Sequence, residues 1–395
     1  MQTPIYMDNM ATTPVDPRVL EAMLPYFSTH FGNPSSKTHA FGLAAADAVE
    51  RARAEVAKLV GARPREIVFT AGATEANNLA LKGVVEFAAP GAHIITCATE
   101  HKAVLDCCRT LEERGAKVSY LPVDGHGRID VDQLADAITA ETVLISLMAA
   151  NNEIGVLQPL AEIGRLAKER GVLWHCDAAQ AAGKVPLDVR AFGIDLLSVS
   201  GHKIYAPKGV GFLYVRSRNP RVRIKAQVEG GGQERGLRAG TLNTPGVVGL
   251  GRACQLAREE LAAEAERLIQ MRQRLCAGLQ DRLGALAING HPEARLPGNL
   301  NLSFPGVDGA ELLVGLREIA LSSGAACSSG GASPSHVLRA IGLSDDLARA
   351  SLRFGLGRFN TLEEVDYVIG RVAEEVERSR LLAPMAIEGA GATAY

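Results

Sequence analysis

The sequence predicts an α/β protein built on a mainly parallel, seven-stranded sheet, with a smaller α+β unit towards the C-terminus. Three observations lead there. Short apolar runs of strand length alternate with longer helical patterns through the first 215 residues. Polar or glycine-rich segments follow several of those runs. The alternation then stops near Gly251, where a long charged helical stretch leads into a region with fewer strands.

Taken in order, apolar runs at 67–70, 93–96, 118–121, 143–148, 172–176, 194–199 and 210–215 read as the seven strands. Helical patterns at 76–87, 103–114 and 160–170 fall between them, and strand–helix–strand at this spacing gives parallel pairing with both faces covered. A charged helix over 253–284 connects to short strands at 287–289, 299–304 and 351–354. The expected division is a large unit of residues 13–255 and a smaller one of residues 1–12 and 256–385. Residues 386–395 are an Ala/Gly-rich tail.

A chain of 395 residues, 47% apolar, can bury a large core. Its formal net charge of -2 gives no global electrostatic case for nucleic acid or an acidic membrane. The start, Met1 to Asp8, lacks a basic region followed by an apolar one, so no signal peptide is expected. No apolar stretch reaches the roughly 18 residues of a membrane span. The seven cysteines are an odd number with no C-x-x-C pair, which argues against a disulfide framework and against zinc; a cytoplasmic location and no metal site are expected. Six of them, Cys97, Cys107, Cys108, Cys176, Cys254 and Cys276, sit in strand or helix patterns as small hydrophobes. Cys327 differs, flanked on both sides by Ser, Gly and Ala that cannot hold a packed segment.

Ligands of an open parallel sheet collect at the carboxyl ends of its strands. Lys203, in Ser200-Gly-His-Lys203, lies just past a buried strand, where its amine can be desolvated and form a Schiff base. Asp177 ends the run before it, and a carboxylate there can pair with a pyridinium nitrogen. Lysine and aspartate at neighbouring strand ends are what pyridoxal phosphate (PLP) chemistry requires. Thr70 to Asn78 open a helix whose N-terminus suits a phosphate. His101 follows the second strand, Asn151-Asn152-Glu153 the fourth, and Gln180 lies just beyond Asp177.

These motifs, in order, resemble the PLP-dependent cysteine desulfurases of the NifS/IscS type, within the class-V aminotransferases of fold type I. The resemblance runs from Met7-Asp8 and Ala11-Thr-Thr-Pro14 through Gly32-Asn33-Pro-Ser-Ser36, Gly72 to Asn78, Glu100 to Val104, Asn151 to Gly155 and Asp177-Ala-Ala-Gln180. It continues through Ser200 to Lys203, Gly230 to Gly236, Arg238 to Leu242, Ser322 to Cys327 and Ser351 to Gly355. It implies that Lys203 carries PLP, Asp177 pairs with the ring nitrogen, Gln180 meets the phenolic oxygen and His101 stacks on the ring. Ala73, Thr74, Ser200 and His202 would hold the phosphate, joined by Thr241 of the neighbouring subunit in a homodimer. Asn152 would line the cofactor and, with Arg353 and Asn33, receive the substrate carboxylate. The implied catalytic set is Lys203, Cys327 and His101: L-cysteine becomes L-alanine, and its sulfur passes to Cys327 as a persulfide for an iron–sulfur scaffold or other sulfur-acceptor protein. The chain departs from the family pattern at Asn9-Met10, Ala239 and Gly330-Gly-Ala332. It also lacks a tryptophan-containing acidic end after Leu382. An aminotransferase, a selenocysteine lyase, or a sulfur carrier without cofactor stay as alternatives.

Overall fold

The computed structural model describes residues 3–284, 286–323 and 334–382. Cys327 and the expected tail lie outside the described residues.

Chain order gives twelve strands: β1 (Ile5–Tyr6), β2 (Ile67–Thr70), β3 (His93–Cys97), β4 (Lys117–Leu121), β5 (Thr142–Ser146), β6 (Leu173–Asp177), β7 (Leu196–Ser200), β8 (Gly211–Val215), β9 (Ala287–Ile288), β10 (Asn299–Ser303), β11 (Ile319–Ala320) and β12 (Ser351–Gly355). Seven of them form one sheet in the order β2-β8-β7-β6-β5-β3-β4. Its strands are parallel except β8, which runs against both β2 and β7. The chain goes outward from β3 to β4 and then returns to the other side of β3 with β5. That reversal opens a crevice at the carboxyl ends, where ligands bind in such sheets.

Expected and observed strands coincide to within two residues at most ends, and the differences matter at the site. β6 and β7 each run one residue further than expected, so Asp177 and Ser200 are the last residues of their strands. The helices after β2 and β3 also start earlier than expected, at Ala73 and Lys102.

The larger correction concerns the connecting helix. It spans Thr244–Leu283, beginning nine residues before the expected Ala253. Asn243 caps it by accepting from the Gly246 N–H, and Pro245 lies in its first turn. The glycines of Gly246-Val-Val-Gly-Leu-Gly251 look like breakers, yet they serve close packing. A Cβ on Gly249 would come within 2.5 Å of the Met23 sulfur, and one on Gly251 within 2.6 Å of the Ala52 Cα. Ala52 belongs to the helix Ala40–Leu59, which the sequence reading did not anticipate and which packs along the connecting helix.

Two cores result. Val247, Leu250, Ala253 and Cys254 of the connecting helix join the large core under the sheet, with Ile95, Ile145, Trp174 and Phe212. Leu268, Met271, Leu275 and Leu279 join a second core with Phe304, Phe354 and Val372. The antiparallel set β12-β10-β9 and the helix Leu362–Leu382 frame this second core. Ile5 and Met7 also belong to it, because β1 pairs with β11. Among the described residues no helix is long and apolar enough to cross a membrane.

Candidate active site

The crevice at the carboxyl ends of β3, β5, β6 and β7 gathers most of the expected residues from separate elements. Ala73 and Thr74 come from the helix Ala73–Val85, His101 from the turn after β3, and Asn152 from the turn after β5. Asp177 and Gln180 come from the end of β6, Ser200 and Lys203 from the end of β7, and Arg353 from β12. Met10 and Ala11 of the N-terminal segment line it as well.

A single helical turn, Gly201–Lys203, lifts the lysine off β7. Its Nζ donates to the carbonyls of Met10 and Ala11, both at 2.6 Å. Gln180 Nε2 donates to the same Met10 carbonyl at 2.9 Å, and its Oε1 accepts from Lys184 Nζ at 3.0 Å. Burial, reinforced by the nearby Lys203 charge, pushes the Lys184 amine down to about 7.

Asp177 is buried with both oxygens engaged. Oδ2 accepts from Asn77 Nδ2 at 2.7 Å and Oδ1 from the Ala179 N–H at 2.9 Å. His101 caps the helix Lys102–Glu113 through Nδ1, which accepts from the Ala103 N–H at 3.1 Å. That bond leaves Nε2 to carry the proton of a neutral ring. Burial holds the His101 pKa below its ordinary value against the attraction of Asp177, with Lys203 adding to the lowering. Glu100, next to it, is wholly buried and accepts from the Met148 N–H at 2.6 Å. Burial above all, with Asp177 nearby, raises its pKa well above the ordinary carboxylate value.

Arg353 is almost completely buried. Nη1 donates to the Asn152 carbonyl at 2.9 Å and Nη2 to Asp8 Oδ1 at 2.8 Å, while among the described residues Nε is buried without a partner. A guanidinium held on two sides with donors to spare suits a carboxylate ligand.

At the other end, the helix Ala73–Val85 begins at Gly72 without a side-chain cap. Its first N–H groups are therefore available to an anion. The backbone is crowded there. A Cβ on Gly72, which has φ +157°, would meet Ser200 Oγ at 3.3 Å, and one on Gly211 would come within 2.7 Å of the Gly72 Cα.

Three expected residues do not line this crevice. His202 bonds Thr12 Oγ1 through Nδ1 at 3.0 Å, and burial with the neighbouring lysines pulls it down to about 4. Thr241 is exposed. Asn33 is also exposed, and its side chain accepts from the Ser35 N–H of its own turn at 2.9 Å. The sequence reading gave no role to Asp8, Asn77, Glu100 or Lys184. A signal existed for Asn77, three residues after Thr74 and so on the same helix face. For Asp8 the only signal was its place in the Met7-Asp8 motif, since its partner lies 345 residues away.

Residues 5–368 match the family model for aminotransferase class-V. The chain is 56% identical over 386 residues to the cysteine desulfurase IscS of Anaeromyxobacter dehalogenans (strain 2CP-C), covering 98% of this chain and 95% of that one. Among solved structures it resembles a NifS-like protein with a TM-score of 0.88 and 40% identity, over 95% of this chain and 99% of the other. It also resembles SspA in complex with cysteine, with a TM-score of 0.80 and 40% identity over 90% and 100% of the two chains.

Proposed function

The chain belongs to the aminotransferase class-V family, and on that premise we propose that it is a PLP-dependent cysteine desulfurase. It converts L-cysteine to L-alanine and passes the sulfur to an enzyme cysteine. The observation that carries this reading is the meeting of the Lys203 amine and the Asp177 carboxylate in one crevice, with an uncapped helix N-terminus beside them.

The residues fit PLP by the chemistry of their donors. The free N–H groups at Ala73 and Thr74, with Ser200, suit a phosphate, and Gly72 keeps a Cβ out of that cradle. A buried carboxylate suits a protonated ring nitrogen, and Lys203 offers the amine for covalent attachment. When bound, PLP supplies the electron sink that lets bonds at the amino acid's carbons break.

The chain's own groups do the rest. The Asp177 carboxylate would receive the protonated ring nitrogen of the cofactor. Gln180 would donate to the phenolic oxygen of the cofactor, and His101 would pack on its ring. Lys203 Nζ, once free, takes the proton from the substrate Cα. Neutral His101 receives or returns a proton at Nε2 for the substrate thiol. Arg353, with Asn152 and Asn33, takes the substrate carboxylate, exchanging the Asp8 contact or adding to it. The Cys327 thiolate attacks the substrate sulfur; a sulfur–sulfur bond forms and the carbon–sulfur bond breaks, leaving the persulfide.

We propose a homodimer in which Thr241 and His202 complete the phosphate site, Thr241 reaching the site of the other copy. The exposure of Thr241 and of Leu20, Leu24, Phe27, Phe31, Phe41 and Leu43 supports it. The cluster around Leu275, Phe304 and Phe354 supports the division into residues 13–255 and residues 1–12 with 256–385, while Ile154 and Val156 pack across it against Val337 and Leu338. Six free cysteines among the described residues support a cytoplasmic location, and an iron–sulfur scaffold or another sulfur acceptor is the proposed partner.

The test is a short pulse of L-cysteine followed by peptide mass spectrometry. The peptide containing Cys327 should gain one sulfur, and Cys327→Ser should keep the yellow cofactor band yet yield almost no alanine or sulfide. The same adduct in Cys327→Ser would place the carrier elsewhere, and a colourless wild-type protein would refute the cofactor.

A further inference from the structure

Asn77 sits on the helix Ala73–Val85, one turn beyond Thr74, and both line the crevice. It is fully buried, and its Nδ2 lies 2.7 Å from Asp177 Oδ2 across 100 residues of sequence. A carboxylate can only accept, so the atom facing Asp177 must be the amide nitrogen. The amide's other atom, Oδ1, is then left buried with no hydrogen-bond partner among the described residues. An unsatisfied buried carbonyl carries a cost that an alanine or leucine at this helix position would avoid. The side chain therefore satisfies a demand other than packing, and the one bond it makes is to Asp177.

We propose that Asn77 is the positioning residue for Asp177, holding that carboxylate aimed at the ring nitrogen of the cofactor. This rests on the reading of Asp177 given above. A hydrogen bond donated to the ionised form favours that form. Asn77 also ties the ring end of the site to the phosphate end, because the helix that offers its N-terminus near Thr74 carries the amide one turn later. The other ionisable groups that feel the Asp177 charge are His101, Glu100 and Cys176, and Lys203 lines the same crevice. Among the described residues Asn77 supplies the side-chain donor to Asp177.

The experiment follows the acid-induced release of cofactor from the holoenzyme by its visible band, in wild type, Asn77→Ala, Asn77→Asp and Asp177→Ala. Melting temperatures of the same holoenzymes are measured alongside. Removing the donor should move the release midpoint up by about one pH unit, corresponding to roughly tenfold weaker holding of the charged pair. Asn77→Asp keeps the shape but sets a second carboxylate against Asp177, so its midpoint should rise further than that of Asn77→Ala. A packing role gives the opposite order, with Asn77→Asp close to wild type and Asn77→Ala the most affected. That order, or unchanged midpoints in both, would overturn the proposal while leaving Asp177 in place. If Asp177→Ala itself releases cofactor like wild type, the reading of Asp177 fails, and this inference fails with it.

Discussion

His175 lies in the middle of β6, fully buried, with Nδ1 bonded to Ser146 Oγ of β5 and Nε2 to Ser198 Oγ of β7, both at 2.9 Å. It stitches three strands together beneath the crevice, two residues before Asp177. Burial pulls its pKa from the ordinary 6.5 to about 3. The folded value lies below the unfolded one, so between these limits the unfolded chain binds the extra proton. The contribution of neutral His175 is complete above pH 6.5 and is lost as pH falls towards 3, at about 1.4 kcal/mol per pH unit. His175→Gln should therefore flatten the fall in unfolding free energy between pH 6 and 4, measured by urea titration. An unchanged slope would mean that other groups govern acid sensitivity. The cysteines follow the same logic. Burial raises the thiol pKa of Cys97, Cys107, Cys108, Cys176 and Cys254, and of half-buried Cys276, which makes each a poor nucleophile.

Elements are fixed to one another by few but concentrated polar ties. Arg53, on the helix Ala40–Leu59, meets Glu234 through two buried contacts of 2.7 and 2.8 Å. Glu234 also accepts from the Phe69 N–H of β2 at 2.7 Å. Glu234 and Arg235 both adopt positive φ, at 47° and 60°, a strain that the tie holds in place. The segment so anchored leads directly to Thr241. Glu234→Leu leaves the Arg53 guanidinium buried with only the exposed Glu50 as an ionic partner. It should lower stability by about 3–5 kcal/mol, read from the denaturation midpoint. Adding Arg53→Met should restore much of that loss, since a buried pair replaced by apolar groups is often neutral. A double variant no better than the single one would show that the tie itself, rather than the stranded charge, carries the stability.

At the scale of the whole molecule, one chain builds the crevice but leaves Thr241 on its surface, away from the lining residues. Large apolar side chains between Leu20 and Leu43 are exposed in the same way. Both are accounted for when a second copy covers that surface. Mixing inactive Lys203→Ala with inactive Thr241→Ala chains should then regain activity, because a hybrid dimer holds one site with neither substitution. Failure to regain activity after subunit exchange, or a fully active monomer by light scattering, would refute the shared site.

The sequence alone determined the alternation of strands and helices, and with it the placing of His101, Asn152, Asp177 and Lys203 at strand ends. These follow from local periodicity, which neighbouring residues set. It missed the helix Ala40–Leu59, although its alanines favour a helix, and the first nine residues of the connecting helix, where glycines signal a break locally but serve close packing in the fold. Only the tertiary structure decided the pairing of Asn77 with Asp177, of Asp8 with Arg353, and of the Met10 and Ala11 carbonyls with Lys203. Those partners lie between 100 and 345 residues apart. No local pattern encodes such contacts; they exist because the sheet order and the β1–β11 pairing carry distant segments to one crevice.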